Sequence, residues 1–292
     1  MRFFKLLNRS HISCILLVTL LLGNSAIADM KTANEAYAKE DYKTAFDEYL
    51  KEAKAGNPEA QSKIGIMYFW GRGTFRSDSY TYTWSLKAAK QGHKNAQHMV
   101  GYLYENGIYV EKDIHSAIDW YRKSAAQDYP PAQANLAGIY MFSEDIPTDL
   151  DRAFRFAQKA AFKHNKHAEY LMGYYYQHKN SDYHLARKWY TIAAKNGNAD
   201  AANLLGKFHF NGIDVKQDFK KAFFWFRIAE RSDSAEGLIN RERAQVKLKN
   251  EEVIELEKSV DQWFIDVEKE KAKNKKVDKL KAMREILELE DI

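Results

Sequence analysis

The sequence predicts an all-α fold, a solenoid of stacked helical hairpins, and three observations carry that prediction. An aromatic residue recurs at Trp84, Trp120, Phe156, Trp189 and Trp225, in steps of 36, 36, 33 and 36. A small residue recurs at Gly65, Gly101, Ala137, Gly173 and Gly206, in steps of 36, 36, 36 and 33. Asp-x-x-x-Ala recurs as Asp113/Ala117, Asp149/Ala153, Asp182/Ala186 and Asp218/Ala222. Ladders sharing one period mark an internal repeat, each copy being a supersecondary unit that buries its apolar face only by stacking on its neighbours.

The N-terminus precedes the repeats. Arg2, Lys5 and Arg9 form a basic head, Ile12 to Leu22 an apolar run, and Ala26-Ile27-Ala28 a small-x-small site. Together they read as a secretory signal peptide over 1–28, cut before Asp29. The apolar run is shorter than the roughly 18 residues a spanning helix needs, so no stable membrane insertion is expected after cleavage. The only cysteine, Cys14, lies inside that run, which leaves the mature chain without a disulfide and without a lipidation site. Losing the three basic residues leaves 42 basic against 40 acidic side chains, a balance that gives no reason to invoke nucleic acid or anionic lipid.

Residues 29–59 read as a degenerate capping hairpin, because Ala53 and Gly56 stand 36 before Ala89 and Gly92. Terminal units of a solenoid are atypical, since one of their faces meets water. Five full units follow, at 60–95, 96–131, 132–167, 168–200 and 201–236. In the second, Ala96, Val100 and Tyr104 lie on one face of a helix that Gly107 ends. Asp113 then caps a second helix carrying Ala117, Trp120, Tyr121, Ala125 and Ala126. The fourth unit is three residues short, and the loss falls in the turn between its two helices, where it costs little. Residues 237–264 read as two closing helices with a break near Asn250. Residues 265–292 read as a charged tail in which Val277, Leu280, Met283, Ile286 and Leu287 form an amphipathic stripe. That stripe is expected to fold back on the cap, the alternative being a partner-binding or self-associating segment.

The pattern Ala-x-x-x-Leu-Gly-x-x-Tyr-x-x-Gly, then Asp-x-x-x-Ala-x-x-Trp-Tyr-x-x-Ala-Ala, resembles the Sel-one-like repeat (SLR), a relative of the tetratricopeptide repeat, over residues 60–236. Ala137, Phe156, Ser143 and Lys179 depart from it, the last two at turn glycines. The resemblance implies a right-handed α/α superhelix acting as a protein-interaction adaptor, commonly in bacterial secreted or periplasmic proteins. Disulfide-rich bacterial relatives linked to β-lactams suggest the alternative, an envelope hydrolase acting on cell-wall material. The cysteine-free mature chain departs from that subgroup.

No catalytic constellation, cofactor motif or metal site is read. His93 and His98 stand at i, i+5; His164 and His167, at i, i+3, lie where a turn between units is expected, lack a third clustered ligand and are taken as solvated loop histidines. Gly71-Arg72-Gly73 sits at a repeat turn, where backbone permissiveness explains it. The aromatic ladders, including Tyr68, Tyr104, Tyr140, Tyr176 and His209, are expected to face the core.

Two residues past a core position, a helix has turned about 200°. The resulting first-helix stripe is Ser62, Ile66 and Phe69; His98, Tyr102 and Glu105; Ala134, Gly138 and Met141; Tyr170, Tyr174 and Gln177; Asn203, Lys207 and Phe210. By analogy with tetratricopeptide stacks this stripe lines the concave groove. The expected contacts to a protein or peptide partner are Phe69, His98, Tyr102, Glu105, Met141, Tyr170, Tyr174, Gln177, Lys207 and Phe210.

Overall fold

The structure is a computed structural model; it describes residues 30–179 and 181–290, with side chains through 274. The signal-peptide segment, its cleavage point and the side chains of the terminal stripe lie outside the described residues. All regular structure among the described residues is helical. The helices are α1 (30–38), α2 (Tyr42–Lys54), α3 (Pro58–Trp70), α4 (Asp78–Lys90), α5 (Lys94–Asn106), α6 (Ile114–Ala125) and α7 (Pro130–Phe142), followed by α8 (Leu150–Ala161), α9 (Lys166–Lys179), α10 (Tyr183–Lys195), α11 (Ala199–Asn211), α12 (Phe219–Arg231), α13 (Ala235–Gln245) and α14 (Asn250–Glu290). They form two compact units, divided between Leu136 and Ala137.

Local chemistry sets the helix ends. Asn57 and Asn198 cap the first helices of their hairpins, each accepting from a backbone N–H two or three residues on. Asp113, Asp149, Asp182 and Asp218 do the same for second helices, as the Asp-x-x-x-Ala ladder predicts. Gly71, Gly107 and Gly212 end first helices in the left-handed conformation that spares glycine a Cβ clash. The fourth hairpin lacks this glycine, and its connection shrinks to 180–182 against 107–113 in the second.

In the first unit, α1 and α2 close one end. Ala33, Ala36, Ala45, Phe46, Tyr49 and Ala53 bury themselves against Ala60, Ile64, Met67 and Tyr68 of α3. The turn after α3 presses on α2 so closely that a Cβ on Gly73 would lie 2.0 Å from the Tyr42 carbonyl oxygen. Arg72, beside it, donates to the Tyr37 hydroxyl at 2.6 Å. The Gly-Arg-Gly turn thus pins the cap to the first full hairpin.

A glutamine ladder joins successive hairpins. Gln61, Gln97 and Gln133 each donate to a carbonyl near the end of the preceding second helix, from Ala53, Ala89 and Ala125. Gln91 and Gln127 reach back to Gly56 and Gly92 and also donate to Gln61 and Gln97. Carbonyls left open at helix ends are satisfied in this way, where burial would otherwise make them costly. In the second unit Asn196 donating to both oxygens of buried Glu169, at 2.9 Å, holds the same place.

The second unit ends differently. Helix α12 packs on α13 and also on α14, with Trp225 against Trp263 at 6.1 Å and the ion pairs Arg227–Glu257, Arg231–Asp261 and Lys220–Glu252 along the seam. The break near Asn250 lies between α13 and α14. Beyond it α14 runs unbroken past residue 265, where the sequence reading divides cap from tail. The segment is rich in Glu and Lys and holds no glycine or proline to stop it.

The expected core register needs one correction. Trp84, Trp120, Phe156, Trp189 and Trp225 are half-buried, whereas the next residue on the helix is Tyr121 or Tyr190 at 0 % exposure, or Phe226 at 2 %. The glycine ladder exists for these rings. A Cβ on Gly101 would meet the Tyr121 ring at 2.7 Å, one on Gly173 the Tyr190 ring at 2.5 Å, and one on Gly206 the Phe226 ring at 2.4 Å. The tryptophans lie between hairpins instead. Trp120 packs on Ala88, Ala89, Ala96 and Val100, with the Lys123 ammonium 4.0 Å from its ring centroid.

Candidate functional site

The first-helix stripe is narrower than a 200° rotation implies. Ser62, Ala134 and Asn203, three residues before the ladder position, are buried, Asn203 bonded to Glu236 and Asn240 of α13. Met141, expected at a partner surface, is 4 % exposed and belongs to the core. Its hairpin offers Ala157 where others put a ring, so volume at that level falls to the first helix.

The residue four past the ladder position answers to the ring behind it. Where that ring is a tyrosine the answer is polar: Tyr121 donates to Glu105 at 2.6 Å, and Tyr190 to Gln177 at 2.9 Å. Where it is Phe226 the answer is Phe210, with ring centroids 6.2 Å apart. Glu105, Gln177 and Phe210 are half-buried, and these contacts explain their identities without a partner. Lys207 is likewise engaged, 2.6 Å from Glu236.

In the first unit His98, Tyr121 and Asn135 form a small network. The Asn135 amide donates to the Tyr121 hydroxyl at 2.8 Å and to His98 Nε2 at 3.3 Å, which fixes that nitrogen as an acceptor. Burial against the rings of Tyr121 and Tyr129 lowers the His98 pKa to about 4. Burial raises the Glu105 carboxyl pKa, against the opposing hydrogen bond from Tyr121. His98 is therefore a helix residue held in a bonded network. His93 caps α5 and meets Glu59 at 2.8 Å. Among the described residues no group of three or more His, Cys, Asp or Glu side chains could hold a metal ion, and no helix is long and apolar enough to cross a membrane.

Two sets of rings then remain. In the first unit Phe69 meets Trp70 edge-on at 4.9 Å and Tyr102 at 5.9 Å, with the Arg76 guanidinium 5.8 Å from its centroid. In the second unit Phe142 meets Tyr174 edge-on at 4.7 Å, Tyr174 stacks on His178 at 3.9 Å, and Tyr170 stacks on His167 at 6.2 Å. Trp70 and Phe142 are 63 % and 46 % exposed, and the sequence reading omits both. Each stands five past the ladder position, at the last turn of its helix. That place carries the signal that could have found them: a large apolar residue directly before a repeat turn.

Hairpins stacked in sequence, with glycines receiving the rings of second helices, define an α-helical repeat protein of the hairpin type. The chain belongs to the Sel1 repeat family, whose model matches residues 58–93, 94–129, 130–161, 166–198 and 199–234, more than half of its length. It is similar to the Sel1 repeat protein from Oxalobacter formigenes, at 26 % identity over 80 % of this chain and 99 % of that one, with a TM-score of 0.66. It also shares its fold with a protective antigen of uropathogenic Escherichia coli that displays an SLR fold, at 22 % identity over 82 % and 60 % of the two chains and a TM-score of 0.57. An immunity protein from Pseudomonas aeruginosa shares that fold at 18 % identity, over 70 % and 83 % of the chains, with a TM-score of 0.52. No curated protein matches the chain.

Proposed function

We propose that this protein is a non-enzymatic adaptor that captures a protein or peptide on the ring-bearing faces of its first helices. The family fold is a protein-interaction scaffold. The single observation that carries the reading here is the pair of exposed rings, Trp70, which meets Phe69 and through it Tyr102, and Phe142, which meets Tyr174 of the next first helix. Packing does not require rings that remain this exposed, and aromatic anchors of this kind carry a disproportionate share of interface energy. We place the adaptor in the bacterial envelope or outside the cell, on the strength of the basic head, apolar run and Ala26-Ile27-Ala28 site of residues 1–28.

The test is a crosslinking pull-down from envelope extract followed by titration of the recovered partner. Replacing Tyr102, Tyr170 and Tyr174 with alanine is expected to weaken binding by more than about 2 kcal/mol while helical content holds. Parent-like binding of that variant, together with loss on removal of 265–292, would move recognition to the terminal helix.

A further inference from the structure

Five helical glycines of this chain are explained by packing. A Cβ on Gly65, Gly101, Gly173, Gly206 or Gly237 would lie under 3 Å from an atom of the helix behind it. Gly138 is not explained in that way. In the part of α7 that belongs to the second unit, a Cβ there would meet only His167 Nε2, at 3.6 Å. The helix has glycine, a weakening residue, where alanine would fit.

The space over Gly138 lies among rings. Phe142, one turn on, touches Tyr174 of α9, and His167 lies against Tyr170 on the same helix. Neither the Tyr170 nor the Tyr174 hydroxyl has a hydrogen-bond partner among the described residues. Asp200, exposed at the start of α11, is without an ion pair among them, and its charge acts on both His167 and Tyr170. Nearby cations are engaged: Lys207 with Glu236, and Lys166 with the Gly197 carbonyl.

We infer that the notch floored by Gly138 receives an arginine side chain of the bound partner. Ring faces attract a flat cation, phenolic oxygens accept from its N–H groups, and an unpaired carboxylate complements its charge. A guanidinium suits stacked rings better than an ammonium, because it is planar and weakly hydrated. The missing Cβ lets the stem approach the α7 backbone.

This inference rests on the adaptor reading, and its test separates the two. The probe is a fluorescein-labelled peptide of glycine and alanine with one central arginine, compared by anisotropy with peptides carrying citrulline or leucine there. Citrulline keeps the shape and removes the charge. The arginine peptide is expected to bind at least tenfold tighter than either. Gly138→Met, which fills the notch, should abolish that preference, and Gly138→Ala should weaken it with a melting temperature no lower than the parent's. Asp200→Asn should reduce the preference at least threefold. Equal binding of the citrulline or leucine peptide, or a preference that survives Gly138→Met, overturns the inference. So does a dimer that Gly138→Met dissociates, since the occupant would then be a second copy. A recovered partner that loses affinity with Tyr174→Ala but ignores both Gly138→Met and replacement of its own arginines sinks the notch and leaves the adaptor standing. One that ignores the triple tyrosine variant sinks both.

Discussion

The second full hairpin, in the first unit, and the fifth, in the second unit, are built on the same lock with different chemistry. In one, Gly101 receives Tyr121, whose hydroxyl is answered by Glu105. In the other, Gly206 receives Phe226, answered by the ring of Phe210. The absent Cβ sets the geometry of both. A single oxygen on the ring decides whether the first helix must supply a polar or an apolar partner. The polar lock adds a titratable network through Asn135 and His98, whereas the apolar ring pair itself holds no titratable group.

The largest effect should come from removing the ring. Tyr121→Ala and Phe226→Ala are each expected to cost about 3–5 kcal/mol in urea melts, whereas half-buried Trp120→Ala should cost less. Equal costs for Tyr121 and Trp120 would break the register on which the comparison stands. Filling the glycine comes next: Gly101→Ala and Gly206→Ala should each lose about 1–3 kcal/mol through overpacking. Combined with the ring-to-alanine change of the same hairpin, each should cost less than the sum, a coupling that a double-mutant cycle reads directly.

Exchanging the chemistry sharpens the contrast. Tyr121→Phe leaves the partly buried Glu105 carboxylate without its donor, and Phe226→Tyr brings a hydroxyl against Phe210. Each should cost about 1–3 kcal/mol although volume barely changes. In the polar lock the pH response should run through His98. The His98 pKa falls from 6.5 unfolded to about 4 folded, so the folded state binds fewer protons. Its stabilisation is complete above about 6.5 and is lost as the pH falls toward about 4. Glu105, with its carboxyl pKa raised, works in the opposite direction as the pH falls. Thermal melts across this window should therefore be less steep for His98→Gln than for the parent, and an unchanged slope would remove His98 from the account. The smallest effect is Lys123→Ala, within about 0.5 kcal/mol, since its ammonium only covers Trp120 from the solvent side.

The sequence carries the hairpins plainly because caps, turn glycines and small residues repeat at one period. Periodicity locates a column of residues without fixing its angle. The Trp column and the Tyr/Phe column beside it share the same period of 36, and only the glycines across the hairpin show which one is inside. Met141 departs from the surface stripe for a related reason. Its burial compensates for Ala157 in another column, an exchange of volume that one-dimensional spacing does not record. Glu105 and Gln177 read as surface polar residues in the sequence because the tyrosine hydroxyls that call for them lie 16 and 13 residues away. Trp70 and Phe142 fall one residue outside a stripe that advances by four and then three residues, at helix ends where side chains lean into solvent.

The central claim is that the exposed rings of the first helices are contact points for a partner, and site-specific photocrosslinking tests it most directly. A photoreactive phenylalanine analogue placed in separate variants at Trp70, Phe142 and Phe162 would be irradiated in intact cells. Phe162 is the control, 72 % exposed but beyond the end of a second helix. The account predicts a shared discrete adduct from positions 70 and 142 and none from 162; adducts of equal yield at all three, or at 162 alone, would contradict it.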